Sequence, residues 1–503
     1  MINASLPVDE TFCGKVALHK TNLIQPHGFL LIISNTGSTI LQVSENTTDL
    51  LQRRLEDIPG TSLEEYLPDH QLKELKEKMF SARESIPFLI DFPGGRHLSM
   101  VKLHRDYITL EIENLRDTPQ GADNYFKVFQ DLKFFSAALD NTSSTAEVCE
   151  MAIQELKRIS GFDKIMIYQF DQYWNGDVIA EVMEEGMDSY LGLKFPASDI
   201  PAQARELYRQ MPFRLIPNID YEPVKLYPVL NPQTGTFTDL SQVNLRSVAA
   251  VHLEYLRNMQ VCASMSTRIL QNNMLWGLIA CHHRTPLYLS YERCMLFELV
   301  SSLLSARIAA MQLRDAAAGK EKKLDLHRKV IEALYKNESL AKLDETVLTL
   351  LNVDGLAIVQ QYAITTVGLT PAAADIDELV FWLQTINIQQ NYAEVALAEQ
   401  FEPAAGYPHM LCGLLAMPVD ADKRYYLLAF RQEVVQKLSW SGNPSDAVQF
   451  EPDGIRYHPR ASFGIWQQTV TGRSQEWSKE DLETAEKFRN AVVEFVLNKI
   501  EKD

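Results

Sequence analysis

The chain has 503 residues, 46% hydrophobic and 23% charged, with a formal net charge of −18. That is an ordinary globular mix, with material for about three domains of roughly 150 residues each. The acidic balance argues against a nucleic-acid or anionic-membrane partner, so an anionic ligand would need a local basic pocket.

The first apolar run, "LIQPHGFLLII" (23–33), starts with a turn signal at Pro26–Gly28 and continues as a strand. A helix is expected over 63–84, and strands at "HLSMVKLH" (97–104) and "YITLEIENL" (107–115), whose alternation suits a half-buried antiparallel sheet. A connecting helix is expected over 124–141 and another over 143–163, with a Ser/Thr cap and Gly161 at its end. The strand "KIMIYQF" (164–170) follows, then "GDVIAEVM", and then "FPASDIPAQAREL" (195–207). In that segment Pro196 and Pro201 hold Asp199 on a stiff, non-helical corner. "LRSVAAVHLEYLRNMQV", "CASMSTRIL" and "LWGLIACHH" (275–283) complete a second α+β domain.

From Ser290 to about Lys336 the pattern is helical almost throughout, which reads as a spine between domains whose apolar stripe suits a second copy of itself. The third domain carries strands at 355–367 and 423–431, a long irregular stretch over 438–477, and a final helix. Ser478 with Asp481 makes that helix's capping box, and Leu482, Ala485, Phe488, Val492 and Phe495 its apolar face. Its stride at Lys499–Asp503 suggests continuation into something else. A forty-residue loop in a compact domain suggests a functional segment.

The six cysteines form no CxxC pair, which points to a reducing, cytoplasmic setting. "MINASLPVDETFCG" lacks the marks of a signal peptide, and no apolar run is read as long enough for a membrane span. Cys13, on an N-terminal loop, is either a small core residue or an accessible thiol able to form a thioether. His252, with Tyr255 on one helix, is either structural or functional. His282 and His283 alternate on a strand, one inward and one outward, so no zinc site is expected. Arg214 and Arg246 sit in apolar surroundings, where they make domestic salt bridges or grip a carboxylate ligand. Ser264 and Ser266 face one side of a strand and could donate to the same anion. No nucleophile-elbow, H-E-x-x-H or phosphate-loop motif appears, which disfavours an esterase or lyase.

Taken together, Cys13 ahead of "IQPHG", then "FPASDIPAQAREL", "YLRNM", "LWGLIACHH" and "PRASF" resemble a bacterial phytochrome photosensory module along essentially the whole chain. The resemblance implies an α+β protein of three domains with central antiparallel sheets: PAS (1–122), GAF (123–315) and PHY (316–503). A long helical spine would join them. A figure-of-eight knot at Ile24 would tie the N-terminal segment to the GAF domain. It implies biliverdin, thioether-linked to Cys13. Asp199 and Ile200 would lie at the pigment's centre, with the Asp199 carbonyl accepting pyrrole N–H bonds and His252 beside them. Tyr208, Arg214 and Arg246 would hold one propionate, and Ser264 and Ser266 the other. Met166, Tyr168, Phe195, Tyr255 and His282 would surround ring D.

The 438–477 stretch would be the PHY tongue. Arg460 would pair with Asp199 in darkness, Ser462 would replace it after light, and Trp440 and Trp466 would exchange as anchors. The implied function is red/far-red sensing by isomerisation, with no catalysis in this chain. The signal would leave through the terminal helix to an output domain such as a histidine kinase or diguanylate cyclase, in a homodimer. A GAF-type small-molecule sensor is the alternative. Three departures stand out. "AAVH" (249–252) replaces Ser-Pro-Met-His, Val251 stands where plant-type relatives carry their linking cysteine, and Gln468 replaces an acid.

Overall fold

In the computed structural model, residues 18–35, 38–81, 86–114, 133–337, 340, 343–407, 411–444, 448–450 and 457–500 are described. The first strands form where the sequence is most apolar. β1 (Leu23–Ile24), β2 (Gly28–Ser34), β3 (Ile40–Ser44), β4 (Ile86–Phe92), β5 (Gly95–Leu103) and β6 (Tyr107–Glu113) build an antiparallel sheet with a helix at Asp69–Ser81. The expected half-buried alternation is corrected for β6, every residue of which is buried, as is every residue of β2; β5 keeps exposed and half-buried positions. One face packs Phe29, Leu31, Ile33, Ile108, Leu110 and Ile112. The other packs Leu30, Ile32 and Tyr107 against Leu240, Val243 and Leu245, a later segment folded over its back.

The second domain contains β7 (Lys164–Phe170), β8 (Gly176–Met183), β9 (Lys194–Phe195), β10 (Phe213–Ile216), β11 (Val224–Tyr227), β12 (Ala263–Gln271) and β13 (Met274–His283). β11 leaves this sheet and joins the first one, between β1 and β3. Ile24 therefore has residues of 224–246 on both sides: it pairs with Val224 in β11 and bridges Arg246. The helix Thr145–Ser160 is capped by Ser144, whose hydroxyl accepts from the Glu147 N–H, and ends on Gly161 at φ 76°. Strand alternation sorts the central strands into two faces. Ile165, Ile167, Met265, Ile279 and Cys281 face the helices, with Phe297, Val300, Leu304 and Ile308. Met166, Tyr168 and Leu278 face the opposite way. Both histidines at the end of β13 are tucked in. His282 is 6% exposed, and His283 lies beside Asp163 on the far side rather than pointing outward.

The spine is a 47-residue helix, Tyr291–Asn337. Counted with its small residues it is apolar and long enough to cross a membrane, which the reading of apolar runs missed. Its apolar side chains nevertheless complete domain cores: Phe297 to Met311 in the second domain, Val330 and Leu334 in the third.

The third domain holds β14 (Gly355–Gln360), β15 (Ala363–Gly368), β16 (Tyr392–Glu394), β17 (Leu411–Asp420) and β18 (Tyr425–Gln432), in the order β15-β14-β18-β17-β16. The expected single strand over 355–367 is two, turned at Gln361 with φ 55°. The terminal helix, Lys479–Ile500, buries Ala485, Phe488, Val492 and Phe495 on one sheet face. Its capping box forms as expected: Ser478 N donates to Asp481 Oδ2 at 3.2 Å and Asp481 N to Ser478 Oγ at 3.1 Å.

The stretch over 438–477 is not structureless. It contains β19 (Gln436–Ser441), β20 (Val448–Phe450), β21 (Tyr457–Pro459) and β22 (Ile465–Val470). By contact the chain divides into two compact units. Residues up to Met311 go with Ser439–Trp466, and Gln312–Leu438 go with Gln467 onward. The hairpin tip therefore belongs to the unit that contains the second domain.

Candidate functional site

The site gathers around the proline corner. Pro196 and Pro201 bracket a short turn, Ala197–Asp199, before the helix Ala202–Gln210. Among the described residues no donor reaches the Asp199 carbonyl oxygen. Arg205 holds the neighbouring Ile200 carbonyl at 2.7 Å, which fixes the corner from behind. The Asp199 carboxylate accepts from Tyr255 Oη at 2.9 Å and Arg460 Nη2 at 2.5 Å. Burial raises its pKa, and Arg460 pulls it back.

Arg460 comes from the hairpin. Its guanidinium lies over Phe195 and Phe463 at 5.1 and 4.6 Å, and its carbonyl accepts from Asn258 at 3.2 Å. His458, two residues earlier, meets Glu254 at 2.9 Å. Trp440 is buried, and its strand pairs in parallel with Lys194 of β9. Ser462 is exposed, its Oγ facing the Gly464 N–H. Trp466 is exposed.

The sheet contributes a second wall. Ser264 lies directly across from His282, and Ser266 across from Arg214. Tyr208 reaches Ser266 through its hydroxyl. His252, on the helix Ala250–Asn258, stacks on Tyr255 at 6.0 Å. Burial, with Arg214 nearby, lowers His252 to about 4. Burial first, then Lys164 and His252, lowers His282 to about 3. Both imidazoles are therefore neutral at physiological pH. Met166, Tyr168 and Phe195 pack in one apolar cluster, and the Tyr168 hydroxyl is buried without a hydrogen-bond partner among the described residues. Gly176 is required there, because a Cβ at that position would overlap the Tyr168 ring at 1.6 Å.

The two arginines differ in their surroundings. Arg214 donates to the Asn244 carbonyl at 2.8 Å and to the Arg246 carbonyl, so it buttresses the 243–246 loop. Among the described residues Arg246 donates once, to the Leu18 carbonyl at 2.8 Å, and its buried Nε has no partner. Burial, then Arg214, lowers Arg246 to about 9. Neither forms an ion pair among the described residues. The wall thus carries cationic N–H groups and hydroxyls; the nearby Glu111 carboxylate is taken up by the Leu245 N–H and makes no salt bridge to either arginine among the described residues, a donor set that fits an anionic ligand. Cys13 lies outside the described residues.

Family models match in the same order along the chain: a PAS fold over residues 13–114, a GAF domain over 144–308 and the phytochrome region over 323–501. The chain is 36% identical over 512 residues to cyanobacterial phytochrome B of Nostoc sp., covering 100% of this chain and 68% of that relative. The chain belongs to the phytochrome family. A bacteriophytochrome of Xanthomonas campestris is 32% identical, with 97% of this chain and 79% of that protein covered. Two solved structures, a bacteriophytochrome from R. palustris and the phytochrome photosensory core of Stigmatella aurantiaca, each superpose with a TM-score of 0.80 at 32% identity. They cover 95% and 98% of this chain, and 98% and 99% of their own. The chain is thus a phytochrome photosensory core of PAS, GAF and PHY domains.

Several residues of the phytochrome site escaped sequence reasoning. Phe463 meets Tyr255 edge-on at 5.2 Å, and Tyr190 meets Phe195 at 5.5 Å. Glu111, from the first domain, accepts the Leu245 N–H at 2.9 Å and so fastens the arginine loop. Lys164 is buried directly across from His282 on the neighbouring strand. Phe463 lay within the quoted "PRASF". The others are single residues whose partners lie far along the chain.

Proposed function

We propose that the GAF site of this phytochrome core holds biliverdin, a linear tetrapyrrole with two propionates, joined to Cys13 by a thioether. The observation that carries the reading is the Asp199 corner, whose carbonyl is unclaimed while its carboxylate is tied to the hairpin through Arg460. When bound, the pigment supplies red-light absorption and a double bond between rings C and D that isomerises on excitation. The corner's fixed carbonyl is a preorganised acceptor for pyrrole N–H groups. Arg246, with Tyr208 and with Arg214 as buttress, receives one carboxylate, and Ser264 and Ser266 the other. Ile200 lies with Asp199 at the pigment's centre; His282, neutral, donates to the ring D carbonyl, and Met166, Tyr168, Phe195 and Tyr255 enclose that ring.

Cys13 stands five residues before Leu18, whose carbonyl Arg246 holds. Five residues reach at most roughly 18 Å, which is compatible with a tether at this site. Its thiol adds across a ring A vinyl group, sulfur bonding one carbon and the proton going to the other. Threading of the N-terminal segment through the 224–247 loop, at Ile24, forms the knot.

The chain works as a red/far-red photoreceptor. After illumination Ser462 replaces Arg460 at Asp199, the hairpin converts from strand to helix, and Trp466 replaces Trp440 as anchor. That shortening is transmitted along residues 467–478 to the terminal helix. The helix drives an effector domain, a histidine kinase or diguanylate cyclase, in a cytoplasmic homodimer joined through the exposed Leu313, Leu324 and Leu497.

A denaturing gel tests the attachment. Biliverdin-loaded chain keeps a fluorescent covalent adduct, and Cys13→Ala loses it while still binding pigment before denaturation. An adduct that survives in Cys13→Ala overturns the assignment.

A further inference from the structure

Lys164 is a lysine that is 2% exposed on the pigment-facing side of the GAF sheet. It lies directly across from His282 in the β7–β13 register. Such opposed pairs have Cβ atoms roughly 4.5–5.5 Å apart on one face. A buried ammonium is costly unless it is paired and hydrogen-bonded, and three groups meet this one. Its Nζ donates to the Asp188 carbonyl, lies 3.5 Å from the Glu181 carboxylate, and sits 3.9 Å from the centre of the Tyr190 ring. Glu181 is itself 3% exposed. Its carboxylate also accepts from the Tyr190 N–H at 3.0 Å and from Ser189 Oγ at 2.6 Å. The loop 188–190 is thus pinned at three points, and Tyr190 is delivered edge-on to Phe195, which in turn meets Tyr168 at 5.8 Å.

We infer that Lys164 and Glu181 form a buried ionic clamp that positions Tyr190 in the ring D wall and sets a positive charge in register with His282, making Lys164 a positioning residue of the photochemical site. The inference rests on the pigment reading above only for its consequence in the photocycle; the clamp itself stands on this geometry.

The groups facing His282 are Lys164 on β7, Ser264 on β12 and His252 on its helix. Glu181 and Asp188 lie beyond Lys164 and bear on it rather than on the imidazole. Burial first, and the Lys164 ammonium second, disfavour imidazolium, so His282 stays neutral and keeps an N–H donor. Without Lys164 the ring becomes easier to protonate, and the light-formed state, in which the ring D contact is exchanged, acquires a dependence on pH.

The test reads His282 by NMR of its ring nitrogens across pH, first without pigment and then with biliverdin. Lys164→Met removes the charge at similar length. Its His282 midpoint moves upward by about one pH unit or more, and the far-red band of its photoproduct titrates with that midpoint. Lys164→Arg keeps the charge and the wild-type titration. Should Lys164→Met fold poorly with Glu181 left unpaired, the double variant Lys164→Met/Glu181→Leu replaces the pair by apolar groups, a tolerated exchange, and shows the same upward move. A His282 titration in the folded charge-free variant that superimposes on wild type overturns the inference. A wild-type chain that binds no pigment would sink the pigment reading and leave the pigment-free titration to decide this one.

Discussion

Arg460 and Asp199, 261 residues apart in the chain, meet as an ion pair at 2.5 Å with side chains 3% and 4% exposed. The pair fastens the hairpin to the corner whose Asp199 carbonyl accepts no hydrogen bond among the described residues. Removing one partner of a buried pair leaves an uncompensated charge, at a cost of about 3–5 kcal/mol. The cheaper escape for the molecule is to let the hairpin go and water in. Arg460→Gln is therefore expected to raise hydrogen exchange at the Tyr457 and His458 amides by about tenfold or more, leaving the GAF strands protected. Unchanged exchange there would show that the pair does not hold the hairpin.

The two arginines of the loop site predict opposite phenotypes. Among the described residues Arg246 has one backbone partner and a buried, unpartnered Nε. Arg246→Gln should leave folding nearly intact and weaken pigment binding by roughly tenfold to a hundredfold, the worth of a charged hydrogen bond. Arg214 ties down the Asn244 and Arg246 carbonyls. Arg214→Gln should lower the denaturation midpoint of the pigment-free chain. Titration with biliverdin and urea unfolding separate the two.

Glu111 gives a pH dependence with a definite sign. Burial, opposed by the Leu245 and Asn244 N–H groups, raises it from 4.5 to about 7. The folded state binds its proton more tightly than the unfolded chain. Its contribution is complete below about pH 4.5 and is lost as pH rises through about 7. The full swing is about 3 kcal/mol. Glu111→Gln should gain stability over wild type at pH 8 and lose that advantage at pH 5, as read by urea midpoints at both values. An advantage equal at both would contradict the assignment.

In the PHY domain, Arg431 is a junction. It donates to the Asn352 carbonyl at 2.8 Å, the Glu476 carbonyl at 3.1 Å and Asp481 at 2.9 Å, and lies 3.7 Å over the Trp477 ring. Asp481 caps the terminal helix and lies 3.6 Å from Lys323 of the spine. Asp481→Ala removes cap and pair together. Melting should fall by roughly 10 °C, with the visible spectrum of the GAF site unchanged. A wild-type melting curve would show the junction to be inert.

What was legible in the sequence is what is local. The capping box at Ser478–Asp481, the stop at Gly161 and the stiff corner at Asp199 are set by residues a few positions apart, and each formed. The all-buried β6 was misread because its second cover, Leu240–Leu245, comes from about 130 residues later. The hairpin over 438–477 was misread as loop because its β strands are short and its outer residues exposed, so no hydrophobic period marks them. Within the site, Asp199, His252, His282 and the arginines could be named from motif and resemblance. Lys164 and Glu181 could not, since a charged residue in a strand reads as solvent-facing until the partner that neutralises it is seen.

The most direct measurement is the visible spectrum of the recombinant chain purified with biliverdin and illuminated in turn with red and far-red light. The account predicts a bound red-absorbing form that converts to a far-red-absorbing one and back over repeated cycles. A colourless chain, or a coloured one whose band ignores illumination, would contradict it.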